Sequence, residues 1–232
     1  MIKVENLNLK IKDNHILSDI NFEIRKGQIV GLLGHNAAGK STLQRYIANQ
    51  EVLAEGKISI NGKANQWGQM NQTVLITEKD FLRKAKSVQE NIEELSKFQV
   101  LDKTYIFKKL EEFDIDKSKS YGSLSKGSKQ IVHILLSLST KALVYLLDEP
   151  LSSIDIFNRK KIADLILDAQ DRGATIIVTT HLINEFQMLF DRVLYLHEGK
   201  LEHDLMIEEI FEKSYENIED FIFTEYGGLS HD

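Results

Sequence analysis

The chain has 232 residues, enough for one large domain or two small lobes, and 42% of them are hydrophobic, enough to fill a core. Its 29 basic and 35 acidic residues leave a net charge of −6, which argues against nucleic acid as the partner. There is no cysteine, hence no disulfide framework and no thiolate site, and no apolar run approaches the ~20 residues that span a bilayer. The first residues lack the apolar stretch of a signal peptide. The expectation is a soluble chain in the cytoplasm, or one held at a membrane through protein partners.

Residues 2–11 alternate roughly between apolar and polar side chains, as a half-exposed strand does, and Asp13-Asn14 marks a turn. Ile16 to Ile24 reads as a second strand. Lys26-Gly27 then turns the chain into the apolar run 28–33. Next comes Gly34-His35-Asn36-Ala37-Ala38-Gly39-Lys40-Ser41-Thr42, which fits G-x-x-x-x-G-K-[ST], followed by a helical stretch from Leu43 to Ala48. Residues 57–61 with Gly62 form a further strand and turn, so an early β-rich lobe is expected, and residues 72–77 read as a buried strand. From Asp80 to Ser120 there is no Gly or Pro. Apolar residues there recur near a period of 3.6, as in Val88, Ile92 and Leu95 and again in Ile106, Phe107, Leu110 and Phe113. This predicts a helical subdomain, about residues 80–125, inserted between two strands. Ser125 opens a helix over Gln130 to Ser139. Leu143 to Leu147 is a buried parallel strand ending in Asp148-Glu149-Pro150, and Asp155 to Gln170 is helical. Ala174 to Thr179 is another buried strand running into His181, residues 184–190 are helical, and Val193 to Leu196 with Gly199 close a last strand. The acidic tail, about residues 206–232, reads as an amphipathic helix or helix pair, solvated in the simplest reading, with packing on the core or extension of a dimer contact as the alternatives.

Strand, glycine loop and helix is the context a phosphate-binding loop requires. Gly34 and Gly39 permit tight turns, so that successive N–H groups face an anion, and the helix start adds its positive dipole end. Lys40 can reach the β- and γ-phosphates, and the Ser41 hydroxyl can ligate Mg²⁺. The plainer reading is a glycine turn with a surface lysine. Ligands of α/β sheets bind beyond the carboxyl ends of strands, where Asp148 lies; its carboxylate can hold Mg²⁺ directly or through water. Glu149, next in line, can polarise a water as general base, although Asp-Glu could also simply cap a helix. Pro150, the sole proline, withholds an N–H and stiffens that turn. His181 could bond a phosphate oxygen or an attacking water, or be structural. The loop Ser125-Lys126-Gly127-Ser128 is either a plain helix cap or a second anion site, serving a nucleotide held by another subunit.

Taken in this order and at these spacings, the Gly34–Thr42 loop, the stretch Leu124–Gln130, the strand with Asp148 and Glu149, the segment Ser152-Ser153-Ile154-Asp155 and His181 make the whole chain resemble the ATP-binding subunit of ABC transporters. The resemblance implies a single α/β domain, a P-loop NTPase of ABC type with a mixed central sheet, an antiparallel β lobe and a helical subdomain. It implies a head-to-tail dimer, most simply of two copies of this chain, that sandwiches ATP. Each ATP would lie between the phosphate loop of one subunit and Ser125, Gly127 and Ser128 of the other. Glu149 would be the base, His181 the γ-phosphate sensor and Asp155 a bridge across the dimer. Glu78 would stand where the family has a metal-ligating glutamine, with Ser41 and Asp148 as the other Mg²⁺ ligands. Thr77 to Leu82, the Leu-Ser-Lys-Gly form of the signature, Thr180 to Glu185 and Phe190 to Val193 are similar to bacterial ABC-2 type exporters of antimicrobial or amphipathic peptides, phenol-soluble modulins included, or of other envelope-active compounds. Such a subunit would work at the cytoplasmic face of the membrane with separate integral membrane subunits. These would dock near Phe81, Leu82, Phe98 and Phe107, unless those residues form the subdomain's own core. The alternative is a soluble ABC ATPase of a macromolecular assembly system, of the iron–sulfur type, with no membrane partner.

One departure from the family pattern generates a prediction. An aromatic residue usually stacks on adenine near the end of the first strand, and Ile11 stands there. Losing a base–aromatic stack forfeits ~1–3 kcal/mol that other contacts must supply, so discrimination between purines should be weak. Turnover of MgGTP is expected to be comparable to that of MgATP in a steady-state phosphate-release assay. Rejection of GTP by about a thousandfold would contradict the absence of a base-reading stack.

Overall fold

The computed structural model describes residues 1–50, 55–64, 72–77, 81–213 and 215–226. Strands β1 (Ile2–Ile11) and β2 (Asn14–Ile24) pair antiparallel across a turn at Lys12 and Asp13. β1 also pairs with β4 (Glu55–Ile60), and β4 with β5 (Lys63–Ala64), giving an antiparallel sheet in the order β2-β1-β4-β5. The second sheet contains β3 (Ile29–Leu33), β6 (Thr73–Ile76), β7 (Val144–Asp148), β8 (Thr175–Thr179), β9 (Arg192–His197) and β10 (Lys200–Met206). Its order is β10-β9-β3-β8-β7-β6, parallel throughout except for β10 at one edge.

The pleat of these central strands feeds two cores. Ile29 and Leu33 of β3, Tyr145 and Leu147 of β7, and Ile176 and Val178 of β8 face the helices. Val30 and Leu32, Val144 and Leu146, and Ile177 face the antiparallel sheet and α1 (Lys40–Ile47). Both faces are covered, which is why these runs are apolar without alternation.

Local chemistry sets the helix starts. α2 (Val88–Leu95) opens on a capping box: the Glu90 N–H donates to Ser87 Oγ at 3.1 Å, and the Ser87 N–H donates to Glu90 Oε2 at 2.7 Å. α3 (Lys103–Glu112) is capped by Asp102, α4 (Lys126–Leu138) by Ser125 and α5 (Ile156–Asp171) by Asp155. α4 thus begins one turn earlier than the apolar spacing suggests, because the Ser125 side chain terminates the preceding loop. α6 (Ile183–Phe186) continues into a 3-10 turn at Gln187–Leu189. α7 (Ile207–Glu212) and α8 (Ile218–Tyr226) end the described chain.

Three expectations need correction. The run 72–77 is not a fully buried strand: β6 lies at the sheet edge, and within it only Ile76 is fully buried. A strand follows the turn at Gly199, where the sequence reading ended the sheet; Lys200–Met206 pairs antiparallel with β9. The tail helices are not solvated. Ile210, Ile218, Phe221 and Ile222 are buried in the core that faces α4 and α5. The acidic residues of α7 and α8 cover only their outer side, and the apolar stripe closes the core.

If α8 is part of that core, Phe221→Ala removes a fully buried ring and should lower unfolding free energy by about 3–5 kcal/mol in a denaturant titration. A loss within about 0.5 kcal/mol would mean a solvated tail.

Candidate active site

The phosphate loop follows β3 directly. Gly34 has φ 144° and Gly39 φ 101°. A Cβ on Gly34 would stand 2.1 Å from the Leu196 carbonyl oxygen, which excludes a side chain there, and at Gly39 the positive φ strains any residue that carries one. Asn36 and Ala37 are exposed at the tip, Ala38 is buried beneath them, and Ser41 and Thr42 enter the first turn of α1. Lys40 is buried, and its Nζ donates to the carbonyls of Gly34 at 2.7 Å and His35 at 2.8 Å. Burial pulls the Lys40 ammonium below its ordinary pKa, opposed by the charges of Glu149 and Asp148.

β7 and β8 bring the other candidates to the same edge. Asp148 Oδ1 accepts from Ser41 Oγ at 3.2 Å and from Thr179 Oγ1 at 2.6 Å. Glu149 takes a left-handed conformation, φ 49°, and its N–H donates to the Thr179 carbonyl at 3.0 Å. Its Oε2 accepts from the His181 N–H at 3.2 Å, while His181 Nε2 lies 3.5 Å from Oε1. Burial pushes the Glu149 carboxyl above its ordinary value, partly opposed by His181. Asn36 to Ser41 of the phosphate loop, with Asp148, Glu149 and His181, line one cleft of about 960 Å³, whereas Gly34, His35 and Thr42 stand behind this lining.

That cleft fits a nucleoside triphosphate. It has a backbone cradle closed to side chains, a buried ammonium and a helix N-terminus. The oxygens of Ser41 and Asp148 are hard donors suited to Mg²⁺. No cluster of three or more metal-ligating side chains occurs among the described residues.

The cleft omits several of the sequence candidates. Ser125 caps α4, accepting from the Ser128 N–H at 3.1 Å, and its hydroxyl lies 2.9 Å from that of Ser128. A Cβ on Gly127 would meet the Ser153 carbonyl at 2.5 Å, so this loop abuts the segment leading to Asp155. Asp155 caps α5, and the bond from the Asn158 side chain holds its carboxyl below the ordinary range. Ser125, Gly127, Ser128 and Asp155 do not line the cleft of their own chain. Ile11 is exposed at the end of β1 and lies outside the cleft lining too. Glu78 lies outside the described residues. The sequence reading missed Thr179, the tightest partner of Asp148, and Arg159, which lines the cleft and pairs with Glu185 at 2.8 Å. The strand-end position of Thr179, across the sheet from Asp148, was a readable signal; nothing singles out Arg159 on its helix.

A second, smaller groove of about 190 Å³ lies at α2. Phe81 and Phe98 are exposed on it, at 56% and 83%, while Leu82 is buried at its floor. Phe107 packs against the main core instead.

Residues 17–152 match the family described as ABC transporter. An uncharacterised ABC transporter ATP-binding protein of Methanocaldococcus jannaschii is 34% identical, covering 91% of this chain and 80% of that protein. The glutamine transport ATP-binding protein GlnQ of Bacillus subtilis is 32% identical over 91% of this chain and 93% of its own length. The lantibiotic transport ATP-binding protein SrtF of Streptococcus pyogenes is 27% identical over 94% of this chain and 93% of its own. A solved ATP-binding subunit of an ABC transporter superposes with a TM-score of 0.86 at 24% identity, over 98% of this chain and 100% of that one. A dimeric cassette bound to ADP and phosphate superposes with a TM-score of 0.77 at 22% identity, covering 89% of this chain and 99% of that one.

Burial of Glu149 has a consequence for stability. Folding raises its pKa, so below the ordinary carboxylate range the side chain is protonated in both states and carries no penalty. As pH rises through the raised value, the native state holds a disfavoured charge and stability falls. Glu149→Gln should therefore raise Tm by about 1–3 °C at neutral pH, a modest gain because solvent still screens the carboxylate. The difference from the parent should shrink as pH falls below 4.5, the ordinary value; a gap independent of pH would contradict the burial argument.

Proposed function

This chain belongs to the ABC transporter family, as an ATP-binding subunit with ATPase activity. We propose that residues 1–232 form a single ATPase domain, with 80–125 as its helical subdomain, which powers a bacterial exporter of antimicrobial or amphipathic peptides. The observation that carries the catalytic reading is the convergence of Lys40, Ser41, Asp148, Glu149 and His181 in one cleft. The relative named for lantibiotic transport supports a peptide cargo, while the one named for glutamine transport shows that similarity alone spans other cargoes.

In this reading the Gly34–Thr42 loop binds the triphosphate through its N–H groups, and Lys40 exchanges its bonds to the loop carbonyls for phosphate oxygens. Ser41 and Asp148 would hold Mg²⁺, with Glu78 as a further ligand, and a bound ion would supply neutralisation of phosphate charge. Glu149 is the base. Its raised pKa brings proton affinity closer to that needed to accept a proton from water, and the His181 N–H holds its carboxylate in place. The His181 ring, exposed beside it, senses the γ-phosphate. Ser125, Gly127 and Ser128 present a helix N-terminus away from their own cleft. They complete the site of a second copy, with Asp155 bridging, in a dimer that closes on ATP and opens after hydrolysis. Cyclic closure moves membrane subunits seated in the groove of Phe81, Leu82 and Phe98, at the cytoplasmic face. Among the described residues no helix is long and apolar enough to cross a membrane itself.

Two measurements test this reading. Glu149→Gln should retain ATP binding, lose turnover by about 10²–10⁴-fold and trap an ATP-bound dimer on gel filtration; an undiminished rate refutes the base. In a pull-down from detergent-solubilised membranes at native expression, a polytopic membrane protein should co-purify in equal amount and be lost with Phe98→Asp. Recovery of soluble proteins alone, with ATPase activity intact, would favour the assembly-factor alternative.

A further inference from the structure

The first residues of the phosphate loop rest on the far end of β9. Gly34 packs on the Leu196 carbonyl so closely that no Cβ fits. The His35 ring meets His197 edge to face, with centroids 5.1 Å apart and planes at 75°. His35 Nδ1 lies 2.5 Å from the Asn36 carbonyl oxygen, and Nε2 lies 3.4 Å from the Glu198 N–H. These contacts fit donation from Nδ1 to the Asn36 carbonyl and acceptance at Nε2 from the Glu198 N–H.

His197 in turn leans on Tyr226, the last described residue of α8, at 5.4 Å. Its ring is packed between His35 and Tyr226, and its Nδ1 is buried without a hydrogen-bond partner among the described residues. Tyr226 is held on other sides by Tyr195 at 4.3 Å and His203 at 5.6 Å. Burial pushes its phenol up to about 12, so the ring stays neutral. Ile218, Phe221 and Ile222 anchor α8 in the core.

We propose that Tyr226, acting through His197, positions His35, so that the C-terminal helix sets the affinity of the phosphate loop for ATP. These three are positioning residues; none supplies a reacting atom. Without the Tyr226 ring, His197 loses the surface that orients it and His35 its edge contact. The loop then surrenders more conformational freedom when it orders around a triphosphate. The effect should fall on binding, because β9 flanks β3 on the side opposite β8 and β7, which carry the candidate catalytic groups.

The test uses Tyr226→Leu in the full chain, which keeps apolar volume and removes the ring. The ATP dissociation constant should rise about two- to tenfold, the range one aromatic pair supports, with kcat changed by less than about twofold. Tyr226→Phe should restore tight binding. In a His35→Ala background, Tyr226→Leu should add no further loss, because the relay already ends there. An unchanged dissociation constant in a folded Tyr226→Leu protein overturns the proposal. So does an equal loss in the His35→Ala background, which would mark general loosening. If Tyr226→Leu does not fold, His197→Leu, in the middle of the relay, carries the same expectations and the same refutations.

Discussion

The parallel register of β3, β8 and β7 is the constraint on which the rest of the structure depends. Val30 stands opposite Ile177, Leu147 opposite Val178 and Asp148 opposite Thr179. Parallel neighbours deliver their carboxyl ends to one edge, so the loop after β3, the acidic pair at the end of β7 and the histidine after β8 emerge side by side. The pairing is secured by burial on both faces, Ile176 and Val178 toward the helices and Ile177 toward the antiparallel sheet. A slip of one residue would exchange those faces and carry Asp148 away from Thr179 and Ser41.

On that edge the chain holds charges in forms that water would not favour. Lys40 is buried and satisfied by two carbonyls of its own loop, so a phosphate has to replace bonds that already exist. Glu149 keeps a left-handed backbone, a conformation disfavoured for a residue with a side chain. It is held there by its N–H bond to Thr179 and by the bond its carboxylate accepts from His181. The side chain that the proposed chemistry needs most is therefore fixed by the neighbouring strand.

The C-terminal segment belongs to the same construction. β10 extends the sheet beyond β9, and α8 packs beside α6 and closes the core to which α4 and α5 also contribute. His203 of β10 and Tyr195 and His197 of β9 all reach the Tyr226 ring. The final helix is thus joined to β9, the strand whose end supports Gly34.

Much of this was legible in the sequence because the signals are local. The phosphate loop declares itself through its two glycines and a strand–loop–helix setting, the start of α4 through Ser125, and the buried strands through unbroken apolar runs. β10 was missed because Leu201, His203 and Leu205 alternate with charged residues at a sheet edge, and edge alternation is hard to distinguish from a polar turn. For the tail, solvation outranks packing on the core in the sequence because its acidic composition outweighs a narrow stripe of Ile218, Phe221 and Ile222; composition says nothing of what that stripe faces. Strand order was outside the reach of the sequence altogether. Residue spacing does not say that β8, late in the chain, inserts between β3 and β7. Sequence by itself determined which residues could hold a phosphate, and tertiary structure decided which meet, because only packed sheet pairing brings Ser41, Asp148 and Thr179 within hydrogen-bonding distance.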